Sequence, residues 1–133
     1  MNVGQQINPV SKRITQEKIN KYARASGDFN PLHLDEEFAR KTMFKGTIAH
    51  GLLSVAYISE MMTNWLGDDW LEGGELEVTF LLPVRPGDVI TAGGRVIECV
   101  RTGSATKVVC EVYCKNQRDE MVIKGTTSCL VKK

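Results

Sequence analysis

Apolar positions in the second half of the chain follow first a helical and then an extended pattern. From about Ala49 to Trp65 apolar side chains cover most of a helix circumference, which predicts a helix buried on nearly all sides. Four strand-like runs follow, at about 75–82, 88–100, 106–115 and 121–131. Segments rich in Pro, Gly, Asn and Asp separate them, as expected for turns between antiparallel strands.

The first half of the chain is predicted to contain shorter elements. Thr15 can cap a first helix, and Gly27 suits its end because glycine adopts a left-handed conformation easily. Asp35 can cap a second, short helix that presents Phe38 and Ala39 to the core. Residues 3–14 are a candidate for an edge strand, and residues 67–74 are predicted to form a loop.

Helices followed by strands, without alternating βαβ units, indicate an α+β fold. A sheet of this length must bury one face, and the apolar helix near the middle of the chain is the one segment large enough to cover it. The sequence therefore predicts an antiparallel sheet wrapped around a long central helix. Residues 1–133 are expected to form a single domain.

Composition removes several classes of function. Seventeen basic and sixteen acidic residues give a net charge of +1 without a long charge run, which argues against nucleic-acid binding. No signal peptide or membrane span is visible, so a cytoplasmic protein is expected. The four cysteines lie in predicted strands without Cys-x-x-Cys spacing, and the chain has two histidines. We therefore expect buried, reduced thiols and no metal site.

The most informative chemistry lies between the two short helices. Asp28 and His33 are separated by Asn30 and Pro31, which should break a helix and leave the carboxylate and the imidazole in a turn. A histidine facing an aspartate on a loop is suited to proton transfer near neutral pH. As a bare pattern, the same residues could form only a helix stop and an Asx turn.

A second motif, about fifteen residues further on, favours the functional interpretation. Ala49-His-Gly-Leu-Leu53 opens the long apolar helix, and Val78-Thr-Phe-Leu-Leu-Pro-Val-Arg-Pro-Gly-Asp88 follows later. Together with the segment Gly27-Asp-Phe-Asn-Pro-Leu-His33, this pattern resembles the MaoC-like acyl dehydratases, which include the (R)-specific enoyl-CoA hydratases. The resemblance covers most of the chain and implies the hotdog fold, in which a sheet wraps around one helix.

The resemblance also implies a reaction and roles for individual residues. Members of this kind reversibly hydrate trans-2-enoyl thioesters to (R)-3-hydroxyacyl thioesters, with no cofactor beyond the coenzyme A of the substrate. Asp28 and His33 would hold and activate one water molecule, and the Gly51 amide would bind the thioester carbonyl. Asn30 is expected to orient the turn, and Ser59 falls where some relatives have a serine near the reaction centre. His50 is expected to be structural.

Other expectations concern the substrate and the assembly. A short acyl chain, about four to six carbons by analogy with the family, is expected on CoA or on an acyl carrier protein. A homodimer or a dimer of dimers is expected because a small hotdog domain exposes sheet edges. Two other functions remain open at this point: a hotdog acyl-CoA thioesterase, and an acyl-CoA-binding module without catalysis.

Overall fold

A computed structural model describes residues 1–132 and contains one antiparallel sheet of five strands around a central helix. The strands lie in the order β1-β3-β4-β5-β2, so β1 and β2 form the two edges. The strands are β1 (Val10–Arg13), β2 (Glu75–Phe80), β3 (Val89–Thr102), β4 (Ala105–Lys115) and β5 (Met121–Val131), and the helices are α1 (Gln16–Ser26), α2 (Pro31–Leu34), α3 (Glu36–Arg40), α4 (Gly51–Leu66) and α5 (Asp68–Gly73).

The ends of the first helices are set by the residues that the sequence indicated. The Thr15 hydroxyl accepts a hydrogen bond from the Lys18 amide, and Gly27 ends α1 with φ of 81°. The Asp35 side chain caps α3 by accepting from the Phe38 amide. Ala39 is buried as predicted, but Phe38 is 47% exposed. A five-residue helix turns only one narrow face to the core, and Ala39 occupies it.

Two expectations about the region around the central helix are wrong. Residues 68–73 form α5 instead of a loop, because Gly67 with φ of 57° turns the chain and the Trp70 side chain then packs into the core. The central helix α4 is also not buried on nearly all sides. Its Ile58 and Met61 are fully buried, whereas Leu52 near its first turn is 60% exposed.

The cysteines of the sheet belong mainly to the core. Cys110, Cys114 and Cys129 are buried free thiols, as predicted, and Cys99 is partly exposed. Burial raises the pKa of Cys110 to about 11 and that of Cys114 to about 12. Both thiols are therefore protonated at neutral pH, which leaves them unsuited to act as nucleophiles. In the part of the chain that the structure describes, no helix is both long and apolar enough to cross a membrane.

Candidate active site

The segment that carries Asp28 and His33 is more regular than the sequence indicated. Only residues 27–30 are irregular, and His33 lies in the short helix α2. Pro31 starts this helix instead of preventing one, because a proline at the first helical position sacrifices no hydrogen bond and has a suitable φ. Asn30 caps α2, and its side-chain oxygen accepts a hydrogen bond of 2.9 Å from the Leu32 amide.

The Asp28 carboxylate is oriented by its own turn. Its Oδ1 accepts a hydrogen bond of 3.2 Å from the Asn30 backbone N–H, which leaves Oδ2 directed at His33. The backbone carbonyl of Asp28 accepts a hydrogen bond of 3.0 Å from His50 Nε2. Asn30 thus contacts the turn in two ways: its side chain accepts from the Leu32 amide, and its backbone N–H donates to the Asp28 carboxylate.

The His33 ring is held in place through its Nδ1 atom. Its Nδ1 lies 2.8 Å from the carbonyl oxygen of Ile48, which can only accept, so we assign the hydrogen to Nδ1. In the neutral ring the lone pair is then on Nε2, 3.9 Å from Asp28 Oδ2. The His33 side chain is 12% exposed and that of Asp28 is 53% exposed, so the pair lies at the boundary between the core and solvent.

A pocket of about 680 Å³ includes His33 in its lining and runs along the first turn of α4. His33 and Gly51 belong to its wall, and the rest of the lining is almost entirely apolar, including Phe44, Leu81 and Ile123. Gly51 is the first residue of α4, where backbone N–H groups have no partner within the helix and the helix dipole is positive. The imidazole and a helix N-terminus therefore face the same cavity.

Phe80, at the end of β2, covers Gly51. A Cβ atom on residue 51 would lie 2.5 Å from the Phe80 ring, so only glycine fits beneath the ring in this position. The Phe80 side chain also lines the pocket, although the residue is 53% exposed. Phe80 therefore forms a wall of the cavity directly beside the Gly51 amide.

Ser59 does not join these residues. It lies eight residues after Gly51 on α4, about 12 Å along the helix axis, and is absent from the pocket lining. Its hydroxyl accepts a hydrogen bond of 3.4 Å from the Trp70 indole. Of the five residues singled out from the sequence, the structure thus brings Asp28, Asn30, His33 and Gly51 together and leaves Ser59 outside the group.

A different serine, Ser54, lies in the pocket wall. It is 1% exposed, and its hydroxyl is one of two buried side-chain polar atoms without a hydrogen-bond partner among the described residues; the other is His50 Nδ1. The sequence alone did not distinguish Ser54 from the apolar residues of α4. A small polar residue one turn after Gly51 was the available signal.

Ser54→Ala is expected to leave the stability of the protein unchanged or to raise it by up to about 1 kcal/mol. Removing a buried hydroxyl that makes no hydrogen bond also removes its desolvation cost. Chemical denaturation of wild type and Ser54→Ala tests this, with Thr127→Ala as a reference. Thr127 is equally buried, but its hydroxyl contacts Met62 Sδ. A loss above about 1 kcal/mol for Ser54→Ala would mean that its hydroxyl is satisfied in solution.

Three potential metal ligands lie close together in this region. Donor atoms of Asp28, His33 and His50 lie within 4.8 Å of one another, but such groups with an exposed carboxylate are common without an ion. The two imidazoles are stacked, with centroids 3.9 Å apart and planes inclined by 27°. His33 Nδ1 and His50 Nε2 are hydrogen-bonded to carbonyl oxygens, which leaves the other nitrogen of each ring free within the part of the chain that the structure describes. A reaction without a metal stays our prediction.

The sequence and the structure were compared with those of known proteins. A family model described as the MaoC-like domain matches residues 1–116. An (R)-specific enoyl-CoA hydratase from Rhodospirillum rubrum is 37% identical over 83 residues, which are 62% of this chain and only 58% of that protein. A 3-hydroxybutyryl-CoA dehydratase from Methylorubrum extorquens is 30% identical over 116 residues, 87% of this chain and 72% of that protein.

The solved structure of an (R)-hydratase from A. caviae involved in PHA biosynthesis superposes with a TM-score of 0.84 and 30% identity. The match covers 97% of this chain and 96% of that chain, and it confirms the predicted hotdog fold. The family model likewise extends over both motifs, from the segment that carries Asp28 to the sheet. The chain belongs to the MaoC-like family of (R)-hydratases and dehydratases.

Proposed function

We propose that this protein catalyses the reversible addition of water to trans-2-enoyl-CoA, giving (R)-3-hydroxyacyl-CoA. The observation that carries the proposal is the separation of 3.9 Å between Asp28 Oδ2 and Nε2 of His33, a residue that lines an apolar pocket. This separation is too long for a direct hydrogen bond. It allows one water molecule to lie within hydrogen-bond distance of both atoms.

His33 is the base of the hydration reaction in this mechanism. The hydrogen on Nδ1 is engaged with the Ile48 carbonyl, so the Nε2 lone pair is free to take a proton from the water. The Asp28 carboxylate accepts the second hydrogen of the water and orients its oxygen. An imidazole can both accept and return a proton, a role typically worth about 10²–10⁴ in rate.

Water adds across the C2–C3 double bond of the enoyl thioester. The water oxygen forms a bond to C3, its proton goes to Nε2, and the C2–C3 π pair moves towards the thioester carbonyl. The oxygen that gains negative charge is bound by the Gly51 amide at the positive end of α4, a kind of contact typically worth about 10²–10³ in rate. The enolate then collapses and C2 takes the proton from Nε2, on the same face. Dehydration is the reverse sequence.

The pocket is the proposed site of the acyl chain. Its wall is apolar apart from a few groups at the first turn of α4, and its volume of about 680 Å³ suits a short acyl group together with the thioester. We take CoA as the carrier; an acyl carrier protein would present the same thioester. The proposed mechanism uses no cofactor beyond the coenzyme A of the substrate.

The assembly that we propose is a dimer. Leu52 and the run Phe80–Leu82 are exposed apolar residues beside the pocket, and β2 is an edge strand with one free side. Contact with a second copy would shield these residues and pair the free edge. The same contact would complete the wall of the pocket.

Three assays with crotonyl-CoA test the proposal against the other two functions. Loss of the conjugated enoyl absorbance without release of free thiol supports a hydratase. Release of free CoA thiol from crotonyl-CoA or butyryl-CoA would instead identify a thioesterase. Saturable binding of both thioesters by calorimetry, with neither reaction, would identify a binding module and overturn the proposal.

A further inference from the structure

His50 connects the two halves of the candidate site. It is the residue directly before Gly51 and stands at the N-cap position of α4, yet its side chain makes no capping hydrogen bond. Instead, its Nε2 lies 3.0 Å from the backbone carbonyl oxygen of Asp28. One face of its ring stacks on His33 with centroids 3.9 Å apart, and the Tyr22 ring lies 4.9 Å away at an angle of 57°.

The hydrogen bond to the Asp28 carbonyl oxygen fixes the tautomer of the neutral His50 ring. A carbonyl oxygen only accepts, so the hydrogen of the neutral His50 ring is on Nε2. The other nitrogen, Nδ1, has no partner among the described residues, and the residue is 3% exposed. His50 is buried and is not among the residues that line the pocket, so it is not expected to touch the substrate.

Asp28 needs an anchor of this kind. Apart from the bond from His50, Asp28 makes two hydrogen bonds within the described residues, both in its own turn. Its backbone N–H donates to the Ser26 hydroxyl, and its carboxylate accepts from the Asn30 amide. Both are contacts between near neighbours and move with the turn. The bond from His50 is the one that ties Asp28 to another element, across twenty-two positions of sequence.

The His33 ring depends on the same residue. Its Nδ1 is bound to the carbonyl of Ile48, two residues before His50, and its face lies on the His50 ring. Asp28 and His33 are therefore both held by the short segment that leads into α4. The amide of Gly51 is the next group in that segment.

We propose that His50 is a positioning residue, which holds the Asp28 carboxylate and the His33 ring in register with the Gly51 amide through one hydrogen bond and one stacking contact. This inference rests on the proposed hydration reaction. A displacement of about 1 Å in a catalytic group can cost about 10²-fold in rate. Loss of the anchor is therefore expected to lower kcat without a comparable change in KM.

The substitutions His50→Gln and His50→Asn form a matched pair. The amide nitrogen of Gln can reach the position of Nε2 and donate to the Asp28 carbonyl, whereas that of Asn is too short. We expect kcat for crotonyl-CoA hydration to fall less than about tenfold in His50→Gln and about 10²-fold in His50→Asn, with KM within about threefold of wild type in both. Each rate is divided by the concentration of folded protein, which is determined by circular dichroism.

A purely structural role would give a different result. Equal kcat values for the Gln and Asn variants, or a rise in KM at unchanged kcat, would overturn the proposal. If His50→Asn does not fold, His50→Phe takes its place, because it keeps a ring against His33 but has no hydrogen-bond donor. Its kcat should then fall as much as is expected for His50→Asn.

Crystal structures of the Gln and Asn variants separate this inference from the proposed reaction. The Gln variant should keep the Asp28 carbonyl hydrogen-bonded and the Oδ2–Nε2 separation near the present value, and the Asn variant should not. An inactive wild type with this structural difference would refute the reaction but support the anchor. An active wild type with the Asp28 turn unchanged in His50→Asn would refute the anchor alone.

Discussion

Asp28→Asn and His33→Gln are each expected to lower kcat for crotonyl-CoA hydration by about 10²–10⁴-fold. Asn keeps the shape of the carboxylate but cannot accept both hydrogen bonds as an anion. Gln can reach the position of Nε2 but cannot take a proton. The two side chains lie 3.9 Å apart. In the proposed mechanism they act on the same water, so losing either one disables the same step. Initial rates with purified variants give the measurement.

The double variant shows whether the two residues act as one unit. Substitutions of residues that share one step have strongly non-additive effects. The kcat of Asp28→Asn/His33→Gln should therefore be little lower than that of the less active single variant. Asp35→Asn is the matched control: it makes the same chemical change at the cap of α3, where Asn caps as well as Asp, and it should keep wild-type kcat. Additive losses in the double variant would assign Asp28 and His33 to separate steps.

Gly51→Ala is expected to lower kcat about 10²-fold while KM changes less. Alanine keeps the backbone N–H, but its methyl group would hinder the approach of the thioester oxygen. In the proposed mechanism this contact strengthens as negative charge develops, so its loss is felt mainly in the transition state. A methyl group on residue 51 would also meet the Phe80 ring. The single variant therefore combines two effects, of which only one concerns the oxyanion.

Phe80→Ala separates the two effects in a double-mutant cycle. Removing the ring makes room for a methyl group and leaves only the effect on the oxyanion. The double variant Gly51→Ala/Phe80→Ala should therefore still be much slower than Phe80→Ala. Gly73→Ala is the matched control, since a Cβ there meets nothing within 4 Å. Recovery of kcat in the double variant would mean that displacement of Phe80, and not the amide, caused the loss.

The parts of the fold that depend on neighbouring residues could be predicted from the sequence. Thr15, Gly27 and Asp35 act within a few positions of themselves, and the four long strands follow from alternation and turn residues. The exposed position of Phe38 and the helix at 68–73 could not be predicted in this way. They depend on which face a short element turns to the core, and that is decided by tertiary packing.

The residues of the candidate site could also be predicted only in part from the sequence. Asp28, His33 and Gly51 lie in two sequence motifs. The structure places His33 and Gly51 in one pocket wall, with Asp28 Oδ2 3.9 Å from His33 Nε2. The role of Phe80 could not be predicted, because it comes from β2, far along the chain from Gly51. Ser59 was expected near the centre by resemblance alone, and the periodicity of α4 carries it to Trp70 instead.

The configuration of the product from crotonyl-CoA tests the central claim most directly. Wild-type protein is incubated with crotonyl-CoA, and the 3-hydroxybutyryl-CoA formed is resolved by chiral chromatography, with Asp28→Asn treated in parallel. The account predicts the (R) product from wild type and almost none from Asp28→Asn. An (S) product, or equal amounts of product from the two proteins, would contradict the assignment of Asp28 and His33 as the groups that add water.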